Sequence, residues 1–193
     1  MDVVARIEAA ASRWNVLEHP FYQRWSAGEL SREELAEYAA QYRYAVVALA
    51  DAAEAAGDAE HAREEREHVA LWDAFAAGCA SVPAEANPET LECASSWTAG
   101  DDRLERLAVL YAIESAQPAI SQTKLDGLFG HYGFEEGPAT EYFSLHAERD
   151  HEHAAHSREL LEQLASAEDA DRLAARAEAA ARGNWRLLDG VSG

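Results

Sequence analysis

Helical patterning over nearly the whole length is the feature that most constrains the fold of this 193-residue chain. Apolar residues recur at helical spacing, and the segments between them carry residues that begin or end helices. Ser31 and Glu34 form a capping box, and Leu30 and Leu35 flank it as a hydrophobic staple. No alternation of apolar and polar residues indicates a strand. The sequence therefore predicts an all-α fold.

Capping and helix-breaking residues divide the chain into about seven helices. The segments that we expect to be helical run from Asp2 to about Asn15, from Ser31 to about Ala56, from Asp58 to about Ala80, briefly from Asn87-Pro88, from Asp101 or Asp102 with a bend near Pro118, from Gly137-Pro138, and over roughly 168–189. No repeat, low-complexity linker or domain break separates them. We expect residues 1–193 to form a single compact bundle.

The charge balance limits the partners that such a chain can have. There are 36 acidic and 16 basic residues, a formal net charge of -20, so the surface should repel nucleic acid and anionic membranes. No signal peptide is visible, and no apolar stretch is long enough to cross a bilayer. Cys79 and Cys93 form neither a CxxC pair nor a disulfide framework. We expect a cytoplasmic protein.

A stripe of metal-ligand residues is predicted on one late helix. His146, Asp150 and His153 follow one another at offsets of four and seven residues, which return to nearly the same angle of a helix. Imidazole and carboxylate donors without sulfur suit iron or manganese better than structural zinc. The alternative is a polar helix face in a His-rich stretch, since His151 and His156 lie close by.

The third predicted helix offers a second set of candidates. Glu64 and His68 are four residues apart, Glu65 and His68 are three apart, and His61 returns to the same face. Either glutamate could therefore share a face with His68, which borders an apolar stretch. The alternative is a solvated charge run.

Glu114 and Lys124 are both unusual in their surroundings. Glu114 lies in an apolar and aromatic segment, where an ionised carboxylate costs several kcal/mol unless a metal or a buried arginine compensates it. Lys124 is the only lysine in a chain that otherwise uses arginine. Because arginine cannot act as an amine nucleophile or nitrogen donor, retention of this one lysine favours a chemical role over a solvated surface group.

Several segments together resemble one family, the haem-oxygenase-like diiron oxidases of the TenA/PqqC-like superfamily. They are HPFYQRWSAGEL, ALWDAF, YAIESAQP, the lone Lys124, and the Tyr142-Phe143, His146, Asp150 and His153 pattern. The resemblance is strongest to the branch named for the chlamydial death-domain-associating protein, whose members make 4-aminobenzoate. It covers most of the chain and implies a compact seven-helix bundle, often dimeric.

The resemblance implies a dinuclear centre of two irons, or of iron and manganese, that uses O2 and an external reductant. The ligands that it implies by position are His68, Glu114, His146, Asp150 and His153. The sixth ligand is a glutamate in the family, and the sequence departs from the pattern there. Aligning the Glu-Glu pair makes this ligand Glu64, whereas an ungapped alignment places His61 there. We prefer Glu64 because it keeps the carboxylate.

The resemblance also implies roles for four other side chains. Tyr22 and Lys124 fall on the positions of a tyrosine that these enzymes consume as the aromatic precursor and of a lysine implicated as the amino donor. Tyr38 and Tyr142 match tyrosines near the family's site and are expected to line the pocket. Both Tyr22 and Lys124 are then expected to open onto the metal cavity. The expected ligands are O2 and a small molecule, and the expected assembly is a homodimer.

Three other functions are compatible with parts of the pattern. A TenA-like pyrimidine hydrolase needs a cysteine nucleophile and a carboxylate partner, but Gln41 replaces the expected aspartate. A ferritin-like carboxylate protein needs two Glu-x-x-His pairs, and the second, Glu148 with His151, lies about opposite His146 on its helix. A non-catalytic protein that binds a partner is the third, although no exposed apolar docking stripe stands out.

Overall fold

The computed structural model describes residues 2–192, and all regular structure in that range is helical. Nine α-helices are α1 (Val3–Ala11), α2 (Pro20–Ala27), α3 (Arg32–Ala55), α4 (Ala59–Gly78), α5 (Pro88–Thr98), α6 (Arg103–Glu114), α7 (Gln117–His131), α8 (Glu141–Leu164) and α9 (Ala170–Gly190). Three short 3₁₀ turns connect some of them. The predicted all-α class is confirmed. Among the described residues, no helix is long and apolar enough to span a membrane.

Helix α2 is not delimited by the sequence pattern, in which Pro20 only ends the preceding helix. Pro20 instead occupies the first turn of α2, where its missing N–H group leaves no hydrogen bond unmade. The His19 side chain caps this turn by accepting a hydrogen bond from the Phe21 N–H group. Gly28 ends α2 in the left-handed conformation, at φ 72°. The segment that carries Tyr22 is therefore a helix.

The predicted long helix is divided in two rather than bent. Helix α6 ends at Glu114, and α7 begins at Gln117 with Pro118 in its first turn. A proline has no N–H group to continue the preceding helix, but it is well accommodated in a first turn. The break at Ser115 and Ala116 separates Glu114 on α6 from Lys124 on α7, and so lets them face different parts of the interior.

Helices α4, α6 and α8 contribute polar side chains to the interior of the bundle. Helix α3 packs along α4 and α5, α9 packs against α1, α5 and α6, and α8 packs against α6 and α7. The apolar side chains form a contiguous core in which Trp25, Trp72 and Trp97 are fully buried. The predicted capping box is present at the start of α3, where Ser31 and Glu34 exchange hydrogen bonds.

A glycine on α7 allows the close approach of α2. A Cβ atom at Gly127 would lie 2.5 Å from the Trp25 ring. The same ring donates a hydrogen bond from Nε1 to the Lys124 carbonyl oxygen at 3.2 Å. Gly130, on the same helix, has nothing within 4 Å of a built Cβ. The contact at Gly127 therefore holds the helix of Tyr22 against the helix of Lys124.

Gly127→Ala should lower the free energy of unfolding by about 1–3 kcal/mol, because the added methyl group overpacks the Trp25 contact. Gly130→Ala is the matched control and should be neutral or stabilising by up to about 1 kcal/mol. Denaturant unfolding of metal-free protein measures both values. Equal midpoints for the two variants would contradict the proposed role of Gly127 in helix packing.

Candidate metal centre

Seven potential metal ligands converge between three helices in the interior of the bundle. Helix α4 supplies His61, Glu65 and His68, α6 supplies Glu114, and α8 supplies His146, Asp150 and His153. The stripe on α8 therefore faces inward. We call these seven residues the ligand cluster.

One part of the ligand cluster joins all three helices. His61 Nε2 lies 3.1 Å from Glu114 Oε1, and the rings of His61 and His153 are 4.1 Å apart between centroids. One potential ligand atom from each of these residues lies within 4.8 Å of the others. This separation is small enough for the three side chains to reach one ion.

Glu65 lies at the centre of the remaining contacts. Its Oε1 is 3.1 Å from His68 Nδ1, and its Oε2 is 3.6 Å from His146 Nε2. Glu65 also forms a compact group with Asp150 and His153. A carboxylate shared between overlapping groups is the arrangement expected of two neighbouring metal positions.

The structure places Glu65, and not Glu64, among the convergent carboxylates. Glu65 is fully buried, whereas Glu64 is partly exposed and its Oε2 lies 3.5 Å from the outer side of His153, at Nε2. His61, the other alternative for the sixth position, lies inside the cluster. Spacing along α4 could not separate these residues, because all of them can share a face with His68.

Unpaired polar atoms show that the ligand cluster fits a metal. In the described residues, 13 buried side-chain nitrogen or oxygen atoms have no hydrogen-bond partner, and eight of them belong to this cluster. Each of its seven side chains has at least one such atom. Buried polar groups without partners are costly, and donors of nitrogen and oxygen without sulfur suit iron.

A backbone contact orients His146 toward the centre. Its Nδ1 atom lies 2.7 Å from the Tyr142 carbonyl oxygen, which can only accept a hydrogen bond. Nδ1 therefore carries a hydrogen, and Nε2, on the side of Glu65, is the ring atom available to a metal. Metal-binding histidines are commonly oriented by such a contact at the other ring nitrogen.

The protonation of the carboxylates reflects their crowding. Burial raises the pKa of Glu114 well above its usual range, and the negative charges of Asp150 and Glu65 add to this rise. Burial also raises the pKa of Asp150 to about 7. Burial opposes ionisation of Glu65 as well, but contacts with three histidines hold its pKa well below the usual value. A divalent cation would stabilise all three carboxylates in their ionised form.

Glu105, another buried glutamate on α6, is paired with arginines, whereas Glu114 is paired with none among residues 2–192. Glu105 lies 2.9 Å from Arg176 and 3.0 Å from Arg172, both on α9. Glu114, by contrast, contacts His61 and Ser157, and no arginine lies within ion-pair distance of it among the described residues. Compensation of Glu114 by a buried arginine is therefore excluded in this part of the chain.

The ferritin-like arrangement is also excluded. Glu148 and His151 are exposed, on the face of α8 opposite the buried His146 and Asp150. Between residues 2 and 192, only one Glu-x-x-His pair, Glu65 with His68, lies in the interior.

Lys124 lies in a separate buried site made of aromatic rings. Its Nζ atom has no hydrogen-bond partner among the described residues and is fully buried. The rings that surround it, with distances from Nζ to the ring centroids, are Tyr42 at 4.5 Å, Phe143 at 5.3 Å, Tyr22 and Tyr38 at 5.6 Å, and Trp72 at 5.7 Å. We call these five rings the aromatic cage. Burial lowers the pKa of Lys124 to about 7.

The aromatic cage brings together three of the four predicted active-site side chains outside the metal set. Tyr22 and Tyr38 share a hydrogen bond of 2.8 Å between their hydroxyl groups, beside Lys124. The fourth, Tyr142, stacks on His146 with 4.0 Å between ring centroids and lies 5.0 Å from Trp72. Trp72 of the aromatic cage and Tyr142 beside His146 therefore connect the two sites.

Sequence reasoning did not assign Trp72 a place between the two sites. Trp72 belongs to the same α4 face as His68, one turn further along, and this spacing is the signal that could have indicated it. A surface cavity of about 1080 Å³ lies away from the ligand cluster, between the start of α3, the end of α4 and the segment after α7. None of the ligand-cluster residues lines it.

Comparisons with known proteins agree with this geometry. Residues 40–185 match a family described as iron-containing redox enzymes. A protein of Chlamydia muridarum called 4-aminobenzoate synthase is 32% identical over 90% of this chain and 83% of its own length. A protein of Nitrosomonas europaea with the same name is 31% identical over 96% of this chain and 89% of its own length.

The fold is also found in a solved structure. A domain of unknown function from Shewanella denitrificans, described as having a haem-oxygenase-like fold, superimposes with a TM-score of 0.78. The match covers 100% of this chain and 92% of that one, at 19% sequence identity, so it establishes the haem-oxygenase-like fold alone. Together with the sequence matches, it shows that this chain is an oxidoreductase and belongs to the family of haem-oxygenase-like, iron-containing redox enzymes.

Proposed function

We propose that this enzyme uses a dinuclear iron centre and O2 to form 4-aminobenzoate from its own Tyr22 and Lys124. The observation that carries the proposal is the aromatic cage, in which the phenol of Tyr22 and the amine of Lys124 are held side by side away from water. The names of the curated relatives support the product. The family supports iron.

The proposed ligands divide into two neighbouring groups. His61, Glu114 and His153 would hold one ion, and Glu65, His68 and His146 would hold the other. Glu65 also groups with His153 of the first set, so it would be shared by both positions. Asp150 lies beside Glu65 and His153 and could contribute to either position. When bound in such a site, iron activates O2 for oxidation with electrons from an external reductant.

The side chains of the aromatic cage supply atoms that match the product. The ring and Cβ of Tyr22 contain the seven carbons of 4-aminobenzoate, so the Cα–Cβ bond must break and Cβ must be oxidised to a carboxyl group. The phenolic oxygen must be replaced by nitrogen, for which Lys124 is the candidate donor. With a pKa of about 7, Lys124 is substantially neutral near neutral pH and has a free electron pair on Nζ.

The neighbours of Tyr22 keep it in a dry and defined position. Tyr38 fixes the Tyr22 hydroxyl through their hydrogen bond, and burial raises the pKa of Tyr22 well above its usual value. Tyr22 is therefore held as a neutral phenol. Trp72 of the aromatic cage and Tyr142 beside it are also fully buried.

The TenA-like hydrolase is less well supported. Burial raises the pKa of Cys79 to about 12 and raises that of Cys93 further, so neither thiol is activated as a nucleophile. Gln41 bonds to the segment before α5 and to Thr90, which is a structural role. Manganese in place of one iron, a homodimer and a cytoplasmic location stay predictions. A non-catalytic role is less well supported, because the family consists of redox enzymes.

Glu65→Gln should reduce the bound iron from two ions per chain to one or none, because an amide donates no negative charge to the shared position. Elemental analysis after anaerobic loading with Fe²⁺ measures this ratio. Glu67→Gln is the matched control on an exposed face of the same helix and should retain two ions. Full occupancy in Glu65→Gln would contradict the assignment of Glu65 as a shared ligand.

Burial of Lys124 should make stability depend on pH. The folded lysine has a pKa of about 7 and the unfolded lysine keeps its usual value of 10.5, so the unfolded chain binds more protons between these values. The Lys124 contribution to the free energy of unfolding should therefore rise with pH in that window, approaching about 1.4 kcal/mol per pH unit. It should be constant below pH 7.

The difference in unfolding free energy between the metal-free wild type and metal-free Lys124→Met isolates this contribution. Methionine has a similar length and no ionisable group. A difference that stays flat from about pH 7 to 10 would show that Lys124 is charged in the folded state.

Tyr22→Phe and Lys124→Met should each abolish formation of 4-aminobenzoate while retaining iron, since neither residue belongs to the ligand cluster. Protein labelled with isotopes in tyrosine and lysine should give product that carries both labels, with at most one product molecule per chain. Mass spectrometry of the product and of the peptide that contains Tyr22 provides the measurement. Repeated turnover with Tyr22 intact would instead show an ordinary oxidase that acts on an added substrate.

A further inference from the structure

A surface cavity leads to one edge of the ligand cluster. Its volume is about 330 Å³, and it lies between the start of α4 and the middle of α8. The residues that line it are Asp58, Glu60, His61, Glu64, Arg149, Glu152, His153 and His156. Its inner end is formed by His61 and His153, which belong to the ligand cluster.

Three pairs of one carboxylate and one imidazole follow one another from the surface to the centre. Asp58 and His156 are 3.9 Å apart, with 32% and 58% of their side chains exposed. The pair of Glu64 and His153 is 3.5 Å apart, with 28% and 19% exposed.

The innermost pair, His61 with Glu114, is 3.1 Å apart and almost fully buried, with 7% and 1% exposed. His61 Nε2 makes no hydrogen bond of suitable geometry with any described residue, although Glu114 Oε1 is 3.1 Å away, so it is the potential ligand atom at the inner end of the cavity. Burial therefore increases in steps, and each step offers the same two kinds of donor as the centre.

The charge of the cavity selects a cation. Four carboxylates line it against one guanidinium, and the whole chain carries a formal net charge of -20. Such a field attracts divalent cations and repels anionic molecules. O2 is uncharged and gains nothing from carboxylates. The donor set and the charge together therefore favour a metal ion over the other ligands of the enzyme.

We propose that this cavity is the entry path for Fe²⁺, and that Asp58 with His156, and then Glu64 with His153, hold the ion in passing. This inference rests on the proposed metal centre. A hydrated ion must exchange its water ligands before it reaches the buried Glu65 and Glu114, and successive pairs of donors allow this exchange in steps. Asp58 is suited to the first step because Oδ1 caps α4 while Oδ2 faces His156.

Glu64 then has a role that differs from that of a resident ligand. Its spacing from His68 is that of a ligand, but its carboxylate lies on the outer side of His153. Glu64 at this position can hold an ion beside His153 Nε2 for a short time and release it as the ion moves inward. Removal of the Glu64 charge should therefore affect the rate of loading and leave the final occupancy unchanged.

Stopped-flow mixing of metal-free protein with Fe²⁺ under anaerobic conditions tests this proposal, with tryptophan fluorescence as the signal. Glu64→Gln should lower the second-order rate constant of loading about tenfold, and His156→Gln should lower it by less. Glu148→Gln, an equal change of charge on an exposed position of α8 outside the cavity, should leave it unchanged. Added salt should slow loading of the wild type.

The stoichiometry at equilibrium separates the possible outcomes. Two ions per chain in Glu64→Gln with slow loading would support the entry path. Two ions loaded at the wild-type rate would overturn the entry path alone, and loss of one ion would identify Glu64 as a resident ligand instead. A wild type that binds no iron would refute the proposed function itself.

Discussion

The burial of three carboxylates within one helical bundle is the constraint on which the rest of this structure depends. Glu65, Glu114 and Asp150 are removed from water without an arginine or lysine beside them among the described residues. Isolated buried charges would be strongly destabilising. The four imidazoles of the ligand cluster, and metal ions bound between them, would compensate the charge of these carboxylates, which apolar side chains could not do. Helices α4, α6 and α8 bring these groups together.

The buried amine of Lys124 is kept away from the carboxylates of the ligand cluster. Lys124 faces aromatic rings, and no carboxylate lies within ion-pair distance of its Nζ atom among the described residues. A nearby carboxylate would favour the charged ammonium and make it inert as a nucleophile, whereas the aromatic cage leaves burial as the dominant effect on its pKa. Trp72 belongs to the aromatic cage and contacts Tyr142, which stacks on His146 of the ligand cluster, so these two rings link the two environments.

Local signals predicted the class of fold and most of the ligand cluster, but contacts between helices decided the remainder. Capping and periodicity depend on neighbouring residues, so the start of α3 and the inward stripe of α8 could be predicted. The choice between Glu64 and Glu65 depends on where α6 and α8 lie. The aromatic cage is also non-local, because its rings come from α2, α3, α4 and α8 around a lysine on α7.

The single lysine has a consequence beyond its chemistry. Amine-reactive reagents find one side-chain target in this protein, and that target is sealed inside the bundle. Its modification requires the helices to part, so the rate of labelling reports on transient opening of the native state. Labelling of Lys124 would therefore measure how often the native state opens at the aromatic cage.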